Sequence, residues 1–169
     1  MGFITEMATS VPGATGQIPS AAAPVAETLR LNGYSTAAFG KWHLTPAHEA
    51  QMGASRWRWP LGRGFERFYG FLGGETDQYH PDLVYDNHEV DPPKTPDEGY
   101  HFTEDMADKA ITFMNDARAA HQTKPFFLWF APGACHAPHQ APKPFIDAYR
   151  DQFNQGWDTW REEVFARQL

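Results

Sequence analysis

The chain has 169 residues, 41% of them hydrophobic and 21% charged, which suits one globular domain with a single core and argues against wholesale disorder. The formal net charge is -7 and the 14 Lys and Arg are scattered rather than gathered into a stripe, which excludes the electrostatic footprint of a nucleic-acid binder. No apolar run approaches the roughly 20 residues that cross a bilayer, and Met1-Gly2-Phe3-Ile4-Thr5-Glu6 is not a basic stretch leading into an apolar core, so neither a membrane partner nor an export signal is expected.

Residues 1–23, rich in Gly, Pro, Ser, Thr and Ala without a period, read as irregular chain. Pro24 suits the first position of a short helix, Val25 and Leu29 share a face at i and i+4, and Asn32-Gly33 supplies the stop. Residues 34–39, Tyr34-Ser35-Thr36-Ala37-Ala38-Phe39, lie between Gly33 and Gly40 and suit a buried strand. Residues 45–82 are dense in Gly, Trp, Arg and Pro. Within them Gly64-Phe65-Glu66-Arg67-Phe68-Tyr69-Gly70-Phe71 has no clean helical or strand spacing, so the whole stretch reads as a long ordered loop. Leu83-Val84-Tyr85-Asp86 and His88-Glu89-Val90 flank Asn87 as a small hairpin ahead of the Pro-rich residues 91–96.

The clearest helix runs from Thr103, as N-cap, to Ala120, with Glu104 and Asp105 in its first turn and Met106, Ala110, Phe113, Met114 and Ala117 as its apolar stripe. Residues 125–131, Pro125-Phe126-Phe127-Leu128-Trp129-Phe130-Ala131, are apolar throughout and are expected as the central strand. Further helices are expected from Pro144 through Tyr149 and from Trp157 to Leu169, the second still running where the sequence ends. There is no internal repeat and no linker, so residues 1–169 are read as one partial domain of α/β class.

Two loops carry the candidate chemistry. Gly40-Lys41-Trp42-His43 lies just past the carboxyl end of the first expected strand, where open α/β sheets build their sites. In extended chain Lys41 and His43 would point the same way, presenting an ammonium and an imidazole to one spot while Trp42 turns into the core. Ala134-Cys135-His136-Ala137-Pro138-His139-Gln140-Ala141-Pro142 follows the carboxyl end of the strand at 125–131, with Pro138, Pro142 and Pro144 to stiffen it.

His136 and His139 lack the Asp, Glu or Cys that would complete a zinc-ligand spacing, and no metal ligand is assigned in this chain. Cys135, the single cysteine, cannot form an intrachain disulfide, has no C-x-x-C partner, and leaves the compartment open. Gly73-Gly74-Glu75 and Asp86-Asn87-His88 are explained by turn chemistry, and Glu104, Asp105 and Asp108 by the helix dipole.

Gly33-Tyr34-Ser35-Thr36-Ala37-Ala38-Phe39-Gly40-Lys41-Trp42-His43 resembles the second sulfatase signature, G-Y-x-[ST]-x-x-x-G-K-W-H, almost position by position. Gly2-Phe3-Ile4-Thr5-Glu6, Gly64-Phe65-Glu66-Arg67-Phe68-Tyr69-Gly70, Phe102-Thr103-Glu104-Asp105 and His136-Ala137-Pro138 look like further landmarks of bacterial arylsulfatases. The resemblance implies an alkaline-phosphatase-like α/β/α sandwich, here partial and truncated at both ends, with Met1 an internal methionine. It also implies hydrolysis of a small-molecule sulfate ester. Lys41 and His43 would bind the ester, and His43 and His136 would be the catalytic imidazoles, with His136 contacting the sulfate and protonating the leaving oxygen. A developing negative charge on that oxygen gives the cationic pocket its chemical reason.

The family also implies a formylglycine, made from the Cys or Ser of a [CS]-x-P-x-R motif, and a calcium or magnesium ion held by an Asp pair and an Asp-Asn pair. Neither is matched here: Ser10-Val11-Pro12-Gly13-Ala14 ends in Ala rather than Arg, and Cys135 is followed by His136-Ala137. A further sulfate-binding Lys of the family has no counterpart either. The expectation is therefore an arylsulfatase segment that supplies part of the anion pocket, is inactive alone, and exposes apolar surface that makes it poorly soluble or only partly folded. The alternatives are a phosphoesterase of the alkaline phosphatase superfamily and a non-catalytic remnant.

Overall fold

The computed structural model describes residue 18 and residues 22–169, so the readings of Gly2-Phe3-Ile4-Thr5-Glu6 and of Ser10-Val11-Pro12-Gly13-Ala14 lie outside the described residues. Helix α1 spans Val25–Leu31, with Pro24 as its extended N-cap (φ -64°, ψ 150°) rather than its first helical residue. The buried residue of α1 is Ala26, while Val25 is exposed. The expected Val25–Leu29 face is thus rotated: the short helix meets the sheet through a methyl group, which lets the two backbones approach closely.

Strand β1 covers Ser35–Lys41, two residues further than expected, and β2 covers Arg67–Phe71. Val84–Tyr85 and His88–Glu89 form the short strands β3 and β4 of the expected hairpin. Helix α2 spans Phe102–Ala120, β5 spans Phe126–Ala131, α3 spans Lys143–Ala148 and α4 spans Trp157–Gln168. The sheet order is β4-β3-β2-β1-β5. Strand β1 runs parallel to both β2 and β5, whereas β2, β3 and β4 form an antiparallel meander.

Three expectations are corrected. First, β2 lies inside the stretch read as loop. Its Phe68 faces one core cluster while Tyr69 and Phe71 face the other, so the strand is buried on both sides and shows no polar alternation. Second, residues 125–131 lie at one edge of the described sheet, and β1 is the middle of its three parallel strands. Thr36 through Gly40 are all buried, and their small side chains give a weak hydropathy signal at the place where layers must approach most closely, whereas Phe126, Trp129 and Phe130 of β5 remain partly exposed at the edge of the described sheet. Third, the N-cap of α2 is His101, not Thr103. The Thr103 hydroxyl donates to Gln78 Oε1 (3.2 Å), and the Gln78 carbonyl accepts the Phe102 N–H (2.8 Å), so a loop residue takes over the capping.

Two cores flank the sheet. On one face Ala37, Phe39, Tyr69 and Phe71 pack against Phe102, Met106 and Ala110 of α2, with Phe113 and Leu128 partly buried beside them. On the other, Ala38, Trp42, Phe68 and Leu72 pack against Ala26, Trp59 and Phe65. Trp59 is fixed by its indole N–H donating to the Glu49 carbonyl (2.8 Å), so the irregular chain between β1 and β2 serves as a packed layer. Helices on both faces of a mixed sheet give the expected α/β/α order. Helices α3 and α4 carry no buried residue, and Phe145, Ile146, Tyr149, Trp157 and Phe165 are exposed.

Candidate anion site at the carboxyl ends of the parallel strands

Because β1, β2 and β5 run parallel, the chain leaves all three at one end of the sheet, and residues 41–43, 72–75 and 133–140 meet there. The register brings Gly40 beside both Gly70 and Ala131. A Cβ on Gly40 would lie 2.1 Å from the Ala131 carbonyl oxygen, and Gly40 has φ +107°, so only glycine fits where the strands pinch together. Past this pinch the ladder continues briefly, with the Trp42 N–H donating to the Phe71 carbonyl (3.0 Å) and the His43 N–H to the Leu72 carbonyl (3.1 Å).

Trp42 turns into the core as the sequence suggested. Its indole N–H lies 3.1 Å from Thr45 Oγ1 and 2.9 Å from the Arg58 carbonyl, which anchors the loop. The extended geometry expected to align Lys41 with His43 ends at His43, whose φ is 55°. A left-handed histidine is uncommon, and such backbone persists only where its surroundings hold it. Here Trp42 is locked beneath it, and the imidazole lies against Gly74: a Cβ there would sit 2.9 Å from His43 Cε1 and Nε2. Burial first, then the Lys41 ammonium, then His136 hold His43 below its ordinary value of 6.5. The charges of Lys41 and His136 therefore act on the same imidazole, and the three residues singled out from sequence share one site.

His136 is placed by a turn in which its N–H donates to the Gly133 carbonyl (3.0 Å). Its Nδ1 lies 2.9 Å from the Ala137 carbonyl oxygen and 3.2 Å from Glu75 Oε2. The loop is tied to the chain after β2 by Gln140, whose amide donates to Asp77 Oδ2 (2.7 Å) and whose Oε1 accepts the Gln78 N–H (2.7 Å). This bond from Gln140 is the main reason the Asp77 carboxyl stays below its ordinary value. Sequence reading missed the Asp77–Gln140 clasp: neither residue belongs to a periodic pattern, and the only cue was a Gln set among the prolines of an otherwise stiff loop.

The remaining candidates divide. Glu75 joins the site, against the turn-chemistry reading. Asp86 braces a turn, accepting from the Arg67 guanidinium (2.9 Å) and the Phe68 N–H (3.0 Å). Asp105 accepts from the hydroxyls of Tyr69 and Tyr100 inside the fold, and burial is the first cause raising both phenols well above their ordinary value. Cys135 and His139 are exposed. Among the described residues no group of three or more His, Cys, Asp or Glu side chains is arranged to hold a metal ion, so no step is derived through one.

The family model for sulfatases matches residues 3–168. A protein of Escherichia coli K12 named uncharacterized sulfatase YdeN is 34% identical over 149 residues, covering 79% of this chain and 25% of that protein. The arylsulfatase of Klebsiella aerogenes is 27% identical, covering 83% of this chain and 30% of its own length. Among solved structures, Ps i-CgsB in complex with k-i-k-neocarrahexaose superposes with a TM-score of 0.64 at 27% identity, over 80% of this chain and 31% of that one. The chain thus spans between a quarter and a third of the length of these relatives.

Proposed function

The chain belongs to the sulfatase family, with its alkaline-phosphatase-like α/β/α fold, and from that premise we propose that the protein hydrolyses sulfate esters, aryl sulfates among them, to a phenol or alcohol plus sulfate. The observation that carries this reading is the convergence of Lys41, His43 and His136 where three parallel strands end, close enough for the other two to act on the His43 imidazole.

The chemistry follows from the charge. A sulfate ester brings anionic sulfuryl oxygens, and its S–O bond breaks with negative charge gathering on the leaving oxygen. The Lys41 ammonium and the His43 imidazole hold the sulfuryl oxygens, and sulfate bound there offsets the burial and the neighbouring charge that hold His43 below its ordinary value. His136, across the site, supplies the proton to the leaving oxygen. Sulfatases draw their nucleophile from formylglycine and use calcium or magnesium. The described residues contain no [CS]-x-P-x-R motif and no metal cluster, so these residues account for anion binding and leaving-group protonation.

The test is turnover of 4-nitrophenyl sulfate by the protein expressed from its entire reading frame together with a formylglycine-generating system and supplied calcium or magnesium. Turnover that falls at least about 100-fold in Lys41→Ala, and in His136→Ala when phenyl sulfate replaces the 4-nitrophenyl ester, supports the reading. Turnover of 4-nitrophenyl phosphate in place of the sulfate would replace it with the phosphoesterase reading. The 169-residue chain assayed by itself is expected to be inactive. Because the Klebsiella relative is an arylsulfatase whereas Ps i-CgsB is solved with a neocarrahexaose, the panel includes a sulfated saccharide beside the aryl ester.

A further inference from the structure

We propose that Glu75 is a positioning residue for His136: its carboxylate lies 3.2 Å from Nδ1, which donates to the Ala137 carbonyl, and its negatively charged oxygen helps keep the hydrogen on Nδ1 and so leaves Nε2 to serve the leaving oxygen of the ester. The inference rests on the proton-donor role proposed for His136 and adds the group that makes this role possible.

The geometry fixes the tautomer. His136 Nδ1 has two oxygen neighbours, the Ala137 carbonyl at 2.9 Å and Glu75 Oε2 at 3.2 Å. A carbonyl and a carboxylate can only accept, so an unprotonated Nδ1 would set its lone pair against two others. Nδ1 therefore carries hydrogen in both the neutral and the cationic ring, and Nε2 is the position that gains and loses a proton. A proton-donating imidazole needs this arrangement, as does any histidine whose second nitrogen is held by a carboxylate. Glu75 also faces the positive charge of the imidazolium that has to exist before transfer. The proton then passes from Nε2 to the leaving oxygen as the S–O bond breaks, leaving neutral imidazole with Nδ1–H still bonded to the Ala137 carbonyl and facing Glu75.

The chain reaches both imidazoles in one step. Gly74 lies against the His43 ring and the next residue, Glu75, lies beside His136. Residues 73–75 follow directly on β2 at the end of the sheet where Lys41 leaves β1, so two consecutive residues tie the imidazole that binds to the one that donates. Glu75 and His136 are both more than half exposed, so water weakens their attraction at rest, and the contribution of the carboxylate is orientation.

Leaving groups decide the matter. 4-Nitrophenolate departs with little help from an acid, whereas phenyl sulfate and a sulfated saccharide need a proton. In the protein expressed from its entire reading frame and matured with formylglycine, Glu75→Ala is expected to lower kcat for the two demanding esters by about 10- to 100-fold with KM little changed. The same variant should leave 4-nitrophenyl sulfate within about threefold of the parent, because no proton is needed there. Glu75→Gln, which keeps an acceptor for Nδ1–H, should recover most of the loss.

His136→Ala must show the same dependence on leaving group. If its loss is equal for all esters, the proton-donor role itself fails; if His136→Ala shows the dependence and Glu75→Ala does not, only the role of Glu75 fails. Nitrogen-15 spectra of the His136 ring give a readout independent of turnover. Hydrogen on Nδ1 in the parent, redistributed toward Nε2 in Glu75→Ala, supports the proposal, and an Nε2–H neutral form in the parent overturns it.

Discussion

Gly74→Ala separates position from stability at the site. A Cβ on Gly74 would lie 2.9 Å from His43 Cε1 and Nε2, whereas ordinary contacts begin near 3.4 Å, so the ring must retreat by about 0.5 Å or more. Gly74 does not occupy the left-handed backbone region, and the His43 ring is exposed and can move, so folding loses little. Removing a glycine where alanine fits the backbone even stabilises by about 0.4–1 kcal/mol through the unfolded chain. Misplacing a reacting group by 1 Å costs on the order of 100-fold, so a shift of half that or more is expected to lower kcat/KM by about 10- to 100-fold. Urea denaturation and steady-state turnover of an aryl sulfate, measured on the same preparation, read the two effects separately. If the loss runs through His43, adding Gly74→Ala to His43→Ala should cost little more than His43→Ala alone. Activity within twofold of the parent, or a stability loss of about 2 kcal/mol that explains the activity loss, would refute the placement of His43 on Gly74.

Gly40→Ala combines a strained backbone with a Cβ 2.1 Å from a carbonyl oxygen, whereas Gly33→Ala has φ +87° with nothing within 4 Å. The first should cost more than about 3 kcal/mol and the second about 1 kcal/mol in urea titrations; equal costs would mean the strands do not pinch at Gly40. Trp42→Phe removes the indole donor, but Thr45 Oγ1 still donates to the Arg58 carbonyl (3.0 Å), so the expected cost is about 1–2 kcal/mol, and a cost nearer 4 would show that Thr45 does not compensate. His43 is held below 6.5, so between that value and its folded value the unfolded chain binds the extra proton and stability falls as pH falls; above 6.5 the group contributes no slope. Urea midpoints compared near neutral pH and in mild acid should therefore drop more in the parent than in His43→Gln, and equal drops would show that the imidazole is not destabilised by its neighbours.

The site was more legible in the sequence than the sheet that builds it. Lys41, Trp42 and His43 stand together in one short segment, and a loop that follows an expected strand and is stiffened by three prolines offered His136 or His139, of which the family resemblance singled out His136. These candidates fall at one end of the sheet because the loops of parallel strands gather there. Strand β2 was hidden because Phe68, Tyr69 and Phe71 satisfy two cores at once, and a strand buried on both faces carries no period to detect. The middle of the three parallel strands was misassigned for a related reason: Ala37, Ala38 and Gly40 contribute close approach rather than hydropathy, so β1 looked weaker than the aromatic β5. Glu75 and the Asp77–Gln140 clasp act across long separations in the chain, and nothing local to either partner announces the other.

The placement of acids around the site follows from what it costs to gather cations. Burial first, then the nearby Lys41 and His136, make the His43 imidazole costly to charge and hold it below its ordinary value. No carboxylate among the described residues pairs with Lys41 or His43, where it would compete with an incoming sulfate. Among the described residues the carboxylate that reaches one of the three is Glu75, and it meets His136 on Nδ1, the nitrogen turned away from the role proposed for Nε2. Asp77 is occupied by Gln140 and by the Tyr79 and His80 N–H groups, so its charge serves to hold two loops together. On the proposed reading, an anion that enters would meet the Lys41 ammonium and the His43 imidazole with no described carboxylate to displace, and its charge would favour the protonated form of His43.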